Sequence, residues 1–189
     1  IRDSYQDIKK SNQKVCLSPP QQSVLEEIAG QVRKKQSASF LLHGITGSGK
    51  TQVYIEAVEV ARNMQRKAIV LVPEIALTGQ IVARFKARFG DDVIVIHSKL
   101  SAGERFDAWQ RLQKNEAGIV IGARSAIFAP ISNLGIIIVD EEHEFTYKQE
   151  ESPRYHVRQV ALEKVKVQGC VVVFGSATPS IETYYEALA

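Results

Sequence analysis

Residues 39–51 read SFLLHGITGSGKT, an apolar run followed by a glycine-rich segment that ends in lysine and threonine. Gly44, Gly49, Lys50 and Thr51 fit the GxxxxGK[ST] spacing of a phosphate-binding loop, the Walker A motif. Such a loop requires a strand before it and a helix after it, and the flanking sequence predicts both. The complete match disfavours the alternative of a glycine-rich turn with an incidental lysine.

The loop predicts ATP and Mg²⁺ as ligands. Its backbone N–H groups can surround phosphate oxygens at a helix N-terminus, where the helix dipole favours an anion. Lys50 is expected to reach the β- and γ-phosphates, and Thr51 to bind Mg²⁺ through its hydroxyl. The predicted nucleotide-binding residues of the loop are Gly44, Thr46, Gly47, Ser48, Gly49, Lys50 and Thr51.

Outward from this loop, short apolar runs alternate with amphipathic segments. Runs of isoleucine and valine without polar alternation are typical of strands covered on both faces, so the pattern predicts an α/β fold with a mostly parallel sheet in a doubly wound three-layer sandwich. The predicted strands are 39–44, 68–72, 93–97, 118–122, 135–140 and 170–175, and the predicted helices are 19–35, 50–66, 78–89, 101–115 and 155–167. Ligands of such sheets bind at the carboxyl ends of the strands.

The composition fits one globular domain, with 189 residues, 44% of them apolar, and a net charge of +3 that permits nucleic-acid binding without indicating it. Two cysteines, Cys16 and Cys170, exclude a disulfide framework and a CxxC zinc ribbon within this stretch and favour a reducing, cytoplasmic location. No apolar run approaches the roughly 18 residues that span a bilayer, so no membrane association is predicted.

The polar, aperiodic residues 1–17 and the initial Ile1 predict a linker from a missing upstream domain of a longer protein. Lys9, Lys10 and Lys14 fit a solvated face of this linker better than a DNA contact.

A second chemical motif, Asp140-Glu141-Glu142-His143, follows the predicted strand GIIIV. A carboxylate at the end of a buried strand can hold Mg²⁺, which makes Asp140 the candidate metal-side ligand. Glu141 is the candidate base that orients an attacking water. An acidic cluster after a strand is usually a solvated turn, but a phosphate-binding loop in the same chain favours the catalytic interpretation.

A third marker, Gly175-Ser176-Ala177-Thr178-Pro179-Ser180, follows the strand CVVVF. Its residues predict a helix start, with Thr178 as N-cap and Pro179 in the first helical position. The residue types alone assign no chemistry to this segment.

The three motifs, each after its own strand, resemble motifs I, II and III of superfamily-two helicases. LVPEIALTGQ at 71–80, IGARSAIFAP at 121–130 and DEEHEFTYKQEESPRYHVRQVA at 140–161 further resemble the first ATPase lobe of the PriA family of DEAH-type replication-restart helicases. The resemblance implies a RecA-like lobe over residues 18–189. It also implies an ATP-driven 3′ to 5′ helicase that unwinds forked DNA and reloads the replisome at stalled forks.

The resemblance also suggests roles for individual residues. Gln21 matches a glutamine that reads adenine, although helix capping by Gln21 is equally consistent with the sequence. His143 is a candidate catalytic residue, together with Lys50, Asp140 and Glu141. It would link the nucleotide to the segment at Ser176. The alternative is a polar residue whose hydrogen bonds are satisfied within the fold. The residues implied to bind DNA are Pro73, Glu74, Thr78, Gln80, Gly122, Arg124, Ser125, Phe145, Tyr147, Lys148 and Tyr155.

Among these residues, Arg124 is the expected phosphate contact. The aromatic side chains, with Lys148 and the neighbouring His156, suit the stacking of unpaired bases and would link DNA occupancy to hydrolysis. For Phe145 and Tyr155, packing against the sheet edge is the alternative.

The chain departs from the family pattern at three positions: Ala123 where threonine is common, Gln52 where glutamate is common and Gly79 where proline is common. The first departure removes a possible hydrogen bond and so weakens the expectation of DNA contact by that loop. Trp109 fits a core or interface position better than a cofactor site.

By the same resemblance, the parent protein carries a second helicase lobe that supplies an arginine finger, and a zinc-binding region elsewhere. The isolated lobe is therefore expected to be nearly inactive. Expected partners are single-stranded and forked DNA, primosome proteins and single-strand-binding protein. The alternatives are a lobe of a RecG-like DNA translocase, which should not share residues 147–161, or an ATP-switched interaction module.

Overall fold

The computed structural model describes residues 16–74, 79–98 and 100–188. Their fold is built on a six-stranded sheet in the order β1-β8-β5-β2-β4-β3, in which every pairing is parallel. The strands are β1 Ala38–His43, β2 Lys67–Leu71, β3 Val93–Ile96, β4 Ile119–Gly122, β5 Leu134–Asp140 and β8 Val171–Ser176, while β6 Lys148–Gln149 and β7 Tyr155–His156 form a separate antiparallel pair. The predicted α/β class and parallel sheet are confirmed.

Helices cover both faces of the sheet. They are α1 Pro19–Lys34, α2 Lys50–Asn63, α3 Gln80–Phe89, α4 Ala102–Gln113, α5 Val157–Gln168 and α6 Ile181–Leu188. Successive strand residues face opposite layers. Ile136 and Ile138 of β5 therefore pack in one core with α1, α2 and α3, and Ile137 and Val139 pack in the other with α4 and α5. This is the three-layer sandwich that the sequence predicts.

Helix starts follow their local capping signals where those signals are complete. The Ser101 N–H donates to Glu104 Oε2 at 2.8 Å and Ser101 Oγ accepts from the Glu104 N–H at 3.3 Å, which is the predicted capping box of α4. At α1, the Ser18 N–H donates to Gln21 Oε1 at 2.9 Å, and Pro19 is the first helical residue. Residues 1–15 of the predicted linker lie outside the described part of the chain.

Two predicted helix starts are corrected. The start at residue 155 moves to Val157, because Tyr155 and His156 pair with residues 148–149 as β7. The helix predicted to begin at Pro179 begins at Ile181, with Ser180 before it. The Thr178 N–H donates back to Ser176 Oγ at 3.0 Å, whereas Ser180 Oγ accepts from the Thr183 N–H at 3.3 Å. Ser180, not Thr178, therefore caps this helix.

Parallel pairing brings the carboxyl ends of all six strands to one edge of the sheet. His43, Gly122, Asp140 and Ser176 are the last residues of their strands, so the segments that follow them share this edge. Within the described residues, no helix is both long enough and apolar enough to cross a membrane.

Candidate nucleotide site and its neighbouring segments

The phosphate-binding loop connects β1 to α2. Gly47 and Gly49 adopt φ angles of 80° and 84°, a left-handed backbone that side chains other than glycine rarely accept. α2 begins at Lys50, whose ammonium group donates a 2.6 Å hydrogen bond to the carbonyl of Gly44 at the start of the loop. Lys50 is 9% exposed and Thr51 follows in the first helical turn. The lysine therefore lies across a loop whose N–H groups stand at a helix N-terminus.

Gln21 of α1 contacts this loop directly. Its Oε1 accepts from the Ser18 N–H, and its Nε2 donates to the Ser48 carbonyl at 2.7 Å. A side chain at Gly49 would overlap the Gln21 amide. The capping role predicted for Gln21 is therefore confirmed, and the same amide also holds the loop that follows β1.

Asp140 lies at the end of β5, facing α2. Its Oδ1 accepts a 3.0 Å hydrogen bond from the Tyr54 hydroxyl, and Tyr54 is fully buried. Burial raises the pKa of Asp140, and the charge of Glu141 raises it further. The Tyr54 hydrogen bond and the Lys50 charge act in the opposite direction. Tyr54 was not predicted as a site residue, because an aromatic residue on the buried side of a helix has the pattern of ordinary core.

Glu141 stands between the phosphate-binding loop and His143. One carboxylate oxygen lies 4.0 Å from Lys50 Nζ and the other lies 3.7 Å from His143 Nδ1. Its φ angle of 48° is left-handed, which for a residue with a side chain costs roughly 1–2 kcal/mol. Backbone strain of this kind is found where the surrounding structure fixes a functional side chain. Here the Glu142 N–H donates to the Gly175 carbonyl at 2.9 Å and holds the turn against β8.

His143 joins the acidic turn to the segment after β8. Its Nδ1 lies 2.7 Å from Ser176 Oγ, and that hydroxyl also accepts from the Thr178 N–H at 3.0 Å. The first, second and third sequence motifs therefore meet in one place, through Lys50, Glu141, His143 and Ser176. The neighbouring Glu142, which sequence reasoning passed over, is 4% exposed and turns to the opposite side.

The DNA-facing prediction concerns segments that follow β2, β4 and β5. A cavity of about 690 Å³ lies between them, and Glu74, Arg124, Ser125, Phe145, Tyr147 and Lys148 are among its lining residues. Pro73 and Gly122 are buried, and a side chain at Gly122 would overlap Ala126. Gln80 is the exposed first residue of α3, and Thr78 lies outside the described residues.

Arg124 binds the backbone of the aromatic segment. Its Nη1 donates to the carbonyls of Thr146 at 3.0 Å and Lys148 at 2.6 Å. Its guanidinium carbon lies 5.9 Å from the centroid of the Tyr155 ring, a distance compatible with a cation–π contact. Tyr155 in turn packs edge-on against Phe128, with centroids 4.9 Å apart. The residue predicted to bind a phosphate therefore orders the aromatic segment in this structure.

The aromatic side chains of this segment differ sharply in exposure. Phe145 is 83% exposed, so the alternative of packing against the sheet edge does not hold for it. Tyr155 is half-buried by its contact with Phe128, which agrees with the packing alternative. Tyr147 is 1% exposed and offers no face to a base in this conformation. The exposed Lys148 lies 3.4 Å from Glu150.

Trp109 lies on α4, and His156 lies directly before α5. Trp109 is 39% exposed on α4, at the surface and not in the core. His156 precedes α5, and its Nδ1 accepts from the Arg158 N–H at 3.1 Å. Burial, followed by the charge of Arg158, lowers the pKa of His156.

The oxygen donors near Asp140 fit a Mg²⁺ ion whose coordination shell is completed by substrate phosphates. Such ions use one or two protein oxygens together with phosphate and water. The carboxylate of Asp140 and the hydroxyl of Thr51 are hard oxygen donors at the same edge of the sheet. Within the described residues, no group of three or more His, Cys, Asp or Glu side chains could hold a metal without such help.

The sequence model of the DEAD/DEAH box helicases matches residues 18–187, and the chain belongs to this family. It is 50% identical over 187 residues to the replication restart protein PriA of Bacillus subtilis, an alignment that covers 98% of this chain and 23% of that protein. It is also 50% identical over 174 residues to PriA of Chlamydia pneumoniae, covering 92% of this chain and 23% of that protein. The chain thus spans about a quarter of the length of these relatives.

Solved structures share the fold. A RecG structure bound to a three-way DNA junction matches with a TM-score of 0.69 and 21% identity, covering 95% of this chain and 25% of RecG. The helicase domain of Pyrococcus furiosus Hef matches with a TM-score of 0.60 and 20% identity, covering 87% of this chain and 35% of that domain. The predicted RecA-like sandwich is therefore confirmed.

Proposed function

We propose that this chain is the ATP-binding motor lobe of a helicase that moves 3′ to 5′ on DNA, unwinds forked DNA and reloads the replisome at stalled forks. The observation that carries the proposal is the meeting of Lys50, Glu141, His143 and Ser176 at the carboxyl edge of the sheet. The 50% identity to PriA over nearly the whole chain supports the particular role in replication restart.

In this proposal the loop residues Gly44 to Thr51 bind the triphosphate of ATP. Lys50 leaves the Gly44 carbonyl to neutralise phosphate charge, and Thr51 and Asp140 hold Mg²⁺, which supplies further charge neutralisation when bound. Glu141 orients the attacking water and accepts its proton. His143 holds the Ser176 segment next to this carboxylate. Gln21 supports the loop and reads adenine beside it.

DNA in this proposal passes the cavity lined by Glu74, Ser125, Phe145 and Lys148. Phe145 is open to stacking, which contributes about 1–3 kcal/mol per base. Arg124 contributes the phosphate contact after giving up its carbonyl partners. Tyr147 acts from within the fold, through Asp140, and not by stacking.

The motor is completed by parts of a longer parent. A second lobe of the same chain supplies the arginine finger, whose contribution is on the order of 10³–10⁵ in rate. The isolated 189 residues are therefore expected to bind ATP weakly and to hydrolyse it slowly. Zinc, primosome proteins and single-strand-binding protein belong to the proposed parent, and the proposed location is the cytoplasm.

The RecG-like alternative has weaker support than the PriA-like role. The likeness to RecG is 21% in sequence and therefore concerns the fold alone. The ATP-switched module is disfavoured because a pure switch has no need of a water-orienting carboxylate at Glu141.

The test is ATP hydrolysis by the full-length parent with forked DNA, single-stranded DNA or blunt duplex. Lys50→Ala is the blank and is expected to abolish phosphate binding, while Glu141→Gln is expected to keep ATP bound and block turnover. Stimulation by forks well above that by blunt duplex supports the proposal. Equal rates with and without DNA would leave an ATPase whose partner is not nucleic acid.

A further inference from the structure

Glu142 is the third residue of the Asp140–His143 motif. Its carboxylate contacts the start of α6 and not the phosphate-binding loop. Glu142 is 4% exposed, whereas the Glu141 side chain is 31% exposed. A carboxylate that is this well buried requires partners that compensate for lost hydration. Its partners lie at the start of α6.

Three groups of α6 and its N-cap surround the Glu142 carboxylate. Oε1 accepts from the Ser180 N–H at 2.8 Å, and Oε2 lies 2.9 Å from Thr183 Oγ1 and 3.3 Å from Ser180 Oγ. The carboxylate thus satisfies an N–H group that the helix itself leaves unpaired, and it meets the positive end of the helix dipole. The Thr183 side chain is 4% exposed, so this contact is closed to solvent.

The backbone of Glu142 is held from a second direction. Its N–H donates to the Gly175 carbonyl of β8 at 2.9 Å. The residue before it, Glu141, has the left-handed φ of 48° and places its carboxylate 4.0 Å from Lys50. The residue anchored to α6 and β8 is therefore directly bonded, through one peptide, to the residue that faces Lys50.

We infer that Glu142 is a positioning residue for ATP hydrolysis, which holds Glu141 in place against the phosphate-binding loop by anchoring the acidic turn to α6. The inference rests on the proposed function, because it assigns Glu141 the orientation of the attacking water. It predicts that loss of the anchor impairs turnover more than ATP binding, since the loop contacts of Lys50 and Gln21 do not involve Glu142.

The experiment compares Glu142→Ala with Glu142→Gln in the full-length parent. Glu142→Ala is expected to lower kcat for DNA-stimulated hydrolysis about tenfold or more, with the Kd for a fluorescent ATP analogue changed by no more than about twofold. Glu142→Gln still accepts from the Ser180 N–H and is expected to restore most of the rate. Glu182→Gln is the matched control, since Glu182 is an exposed carboxylate in the first turn of α6.

A milder variant, Thr183→Val, guards against a folding defect in Glu142→Ala, and hydrogen exchange supplies a readout that does not depend on turnover. Thr183→Val removes one partner at nearly constant volume and is expected to lower kcat in the same direction by a smaller factor. Hydrogen exchange of residues 181–188 is expected to slow when the ATP analogue binds the wild-type parent, and to lose that response in Glu142→Ala.

The outcomes separate the two proposals. A wild-type parent that does not hydrolyse ATP overturns the proposed function, and the exchange experiment then still tests the link between nucleotide and α6. Unchanged kcat in Glu142→Ala, parallel losses of kcat and ATP affinity, or an exchange response that survives in Glu142→Ala overturns the positioning role.

Discussion

The Tyr147 hydroxyl donates a 2.6 Å hydrogen bond to the backbone carbonyl of Asp140, the residue proposed to hold Mg²⁺. The carbonyls on either side of Tyr147, those of Thr146 and Lys148, accept from Arg124. Two side chains, Arg124 and Tyr147, therefore connect the segment after β4 to the backbone of Asp140. This connection is the route by which DNA, proposed to bind in the neighbouring cavity, is expected to affect the proposed ATP hydrolysis.

Tyr147→Phe tests that route with the smallest change. The ring stays in the core, whereas the Asp140 carbonyl loses its partner at a cost of about 1 kcal/mol. In the full-length parent, the ratio of DNA-stimulated to basal ATP turnover is expected to fall several-fold. Tyr147→Ala is a poorer probe, because removing a fully buried aromatic side chain costs about 3–5 kcal/mol in folding.

Tyr185→Phe is the control for Tyr147→Phe, since Tyr185 is 73% exposed on α6. It should leave both rates unchanged. If stimulation also survives unchanged in Tyr147→Phe, the hydroxyl serves folding and plays no part in the response to DNA.

Gln21→Glu should weaken ATP binding several-fold while the lobe stays folded. The carboxylate can still accept from the Ser18 N–H, so α1 keeps its cap, but it cannot donate to the Ser48 carbonyl of the phosphate-binding loop. Titration of the chain with a fluorescent ATP analogue measures the effect. The exposed neighbour supplies the control, and Gln22→Glu is expected to bind as the wild type does. Equal affinities for the two variants would remove Gln21 from the nucleotide site.

Sequence reasoning succeeded where the signal is local. The GxxxxGKT spacing, the apolar strands and the Ser101–Glu104 capping box are each contained in a few residues, and each is present in the structure. The contacts that organise the site link residues far apart in the chain. Tyr54 meets Asp140 from 86 positions away, and Glu142 meets Thr183 from 41 positions away. No periodicity marks such partners.

Tyr147 and Arg124 show a second limit. Both have residue types that suit nucleic acid, but residue type does not determine exposure. Tyr147 packs in the core that includes residues of α4 and α5, and the turn after β4 brings Arg124 against the backbone on either side of Tyr147. The prediction of Thr178 as an N-cap is wrong for a related reason. The buried Glu142 carboxylate accepts from the Ser180 N–H, and the helix starts after Ser180.

The two cysteines should differ in reactivity. Cys170 is buried in the core, and burial raises the pKa of its thiol to about 11, whereas Cys16 is exposed. At pH 8, which lies below that pKa, only about one Cys170 thiol in a thousand is ionised, and the thiolate is the reactive form. Ellman's reagent should therefore modify Cys16 rapidly in the native 189-residue chain and Cys170 only in denaturant. Rapid reaction of both thiols would contradict the buried position.

Gly175 pairs with Asp140 across β8 and β5, and a methyl group added at Gly175 would overlap the Tyr54 hydroxyl. Tyr54 is fully buried, so relieving this overlap must displace packed core atoms, and Gly175→Ala is expected to cost about 1–3 kcal/mol in the free energy of unfolding. It should also displace the phenol from Asp140.

Gly30→Ala is the matched control, because Gly30 lies inside α1 with no atom within 4 Å of an added Cβ. Urea unfolding should show a gain of about 0.5–1 kcal/mol for Gly30→Ala, from the better helix propensity of alanine. A Gly175→Ala chain as stable as the wild type would mean that Tyr54 can leave Asp140 at little cost, and the hydroxyl would then have no role in fixing the metal-side carboxylate.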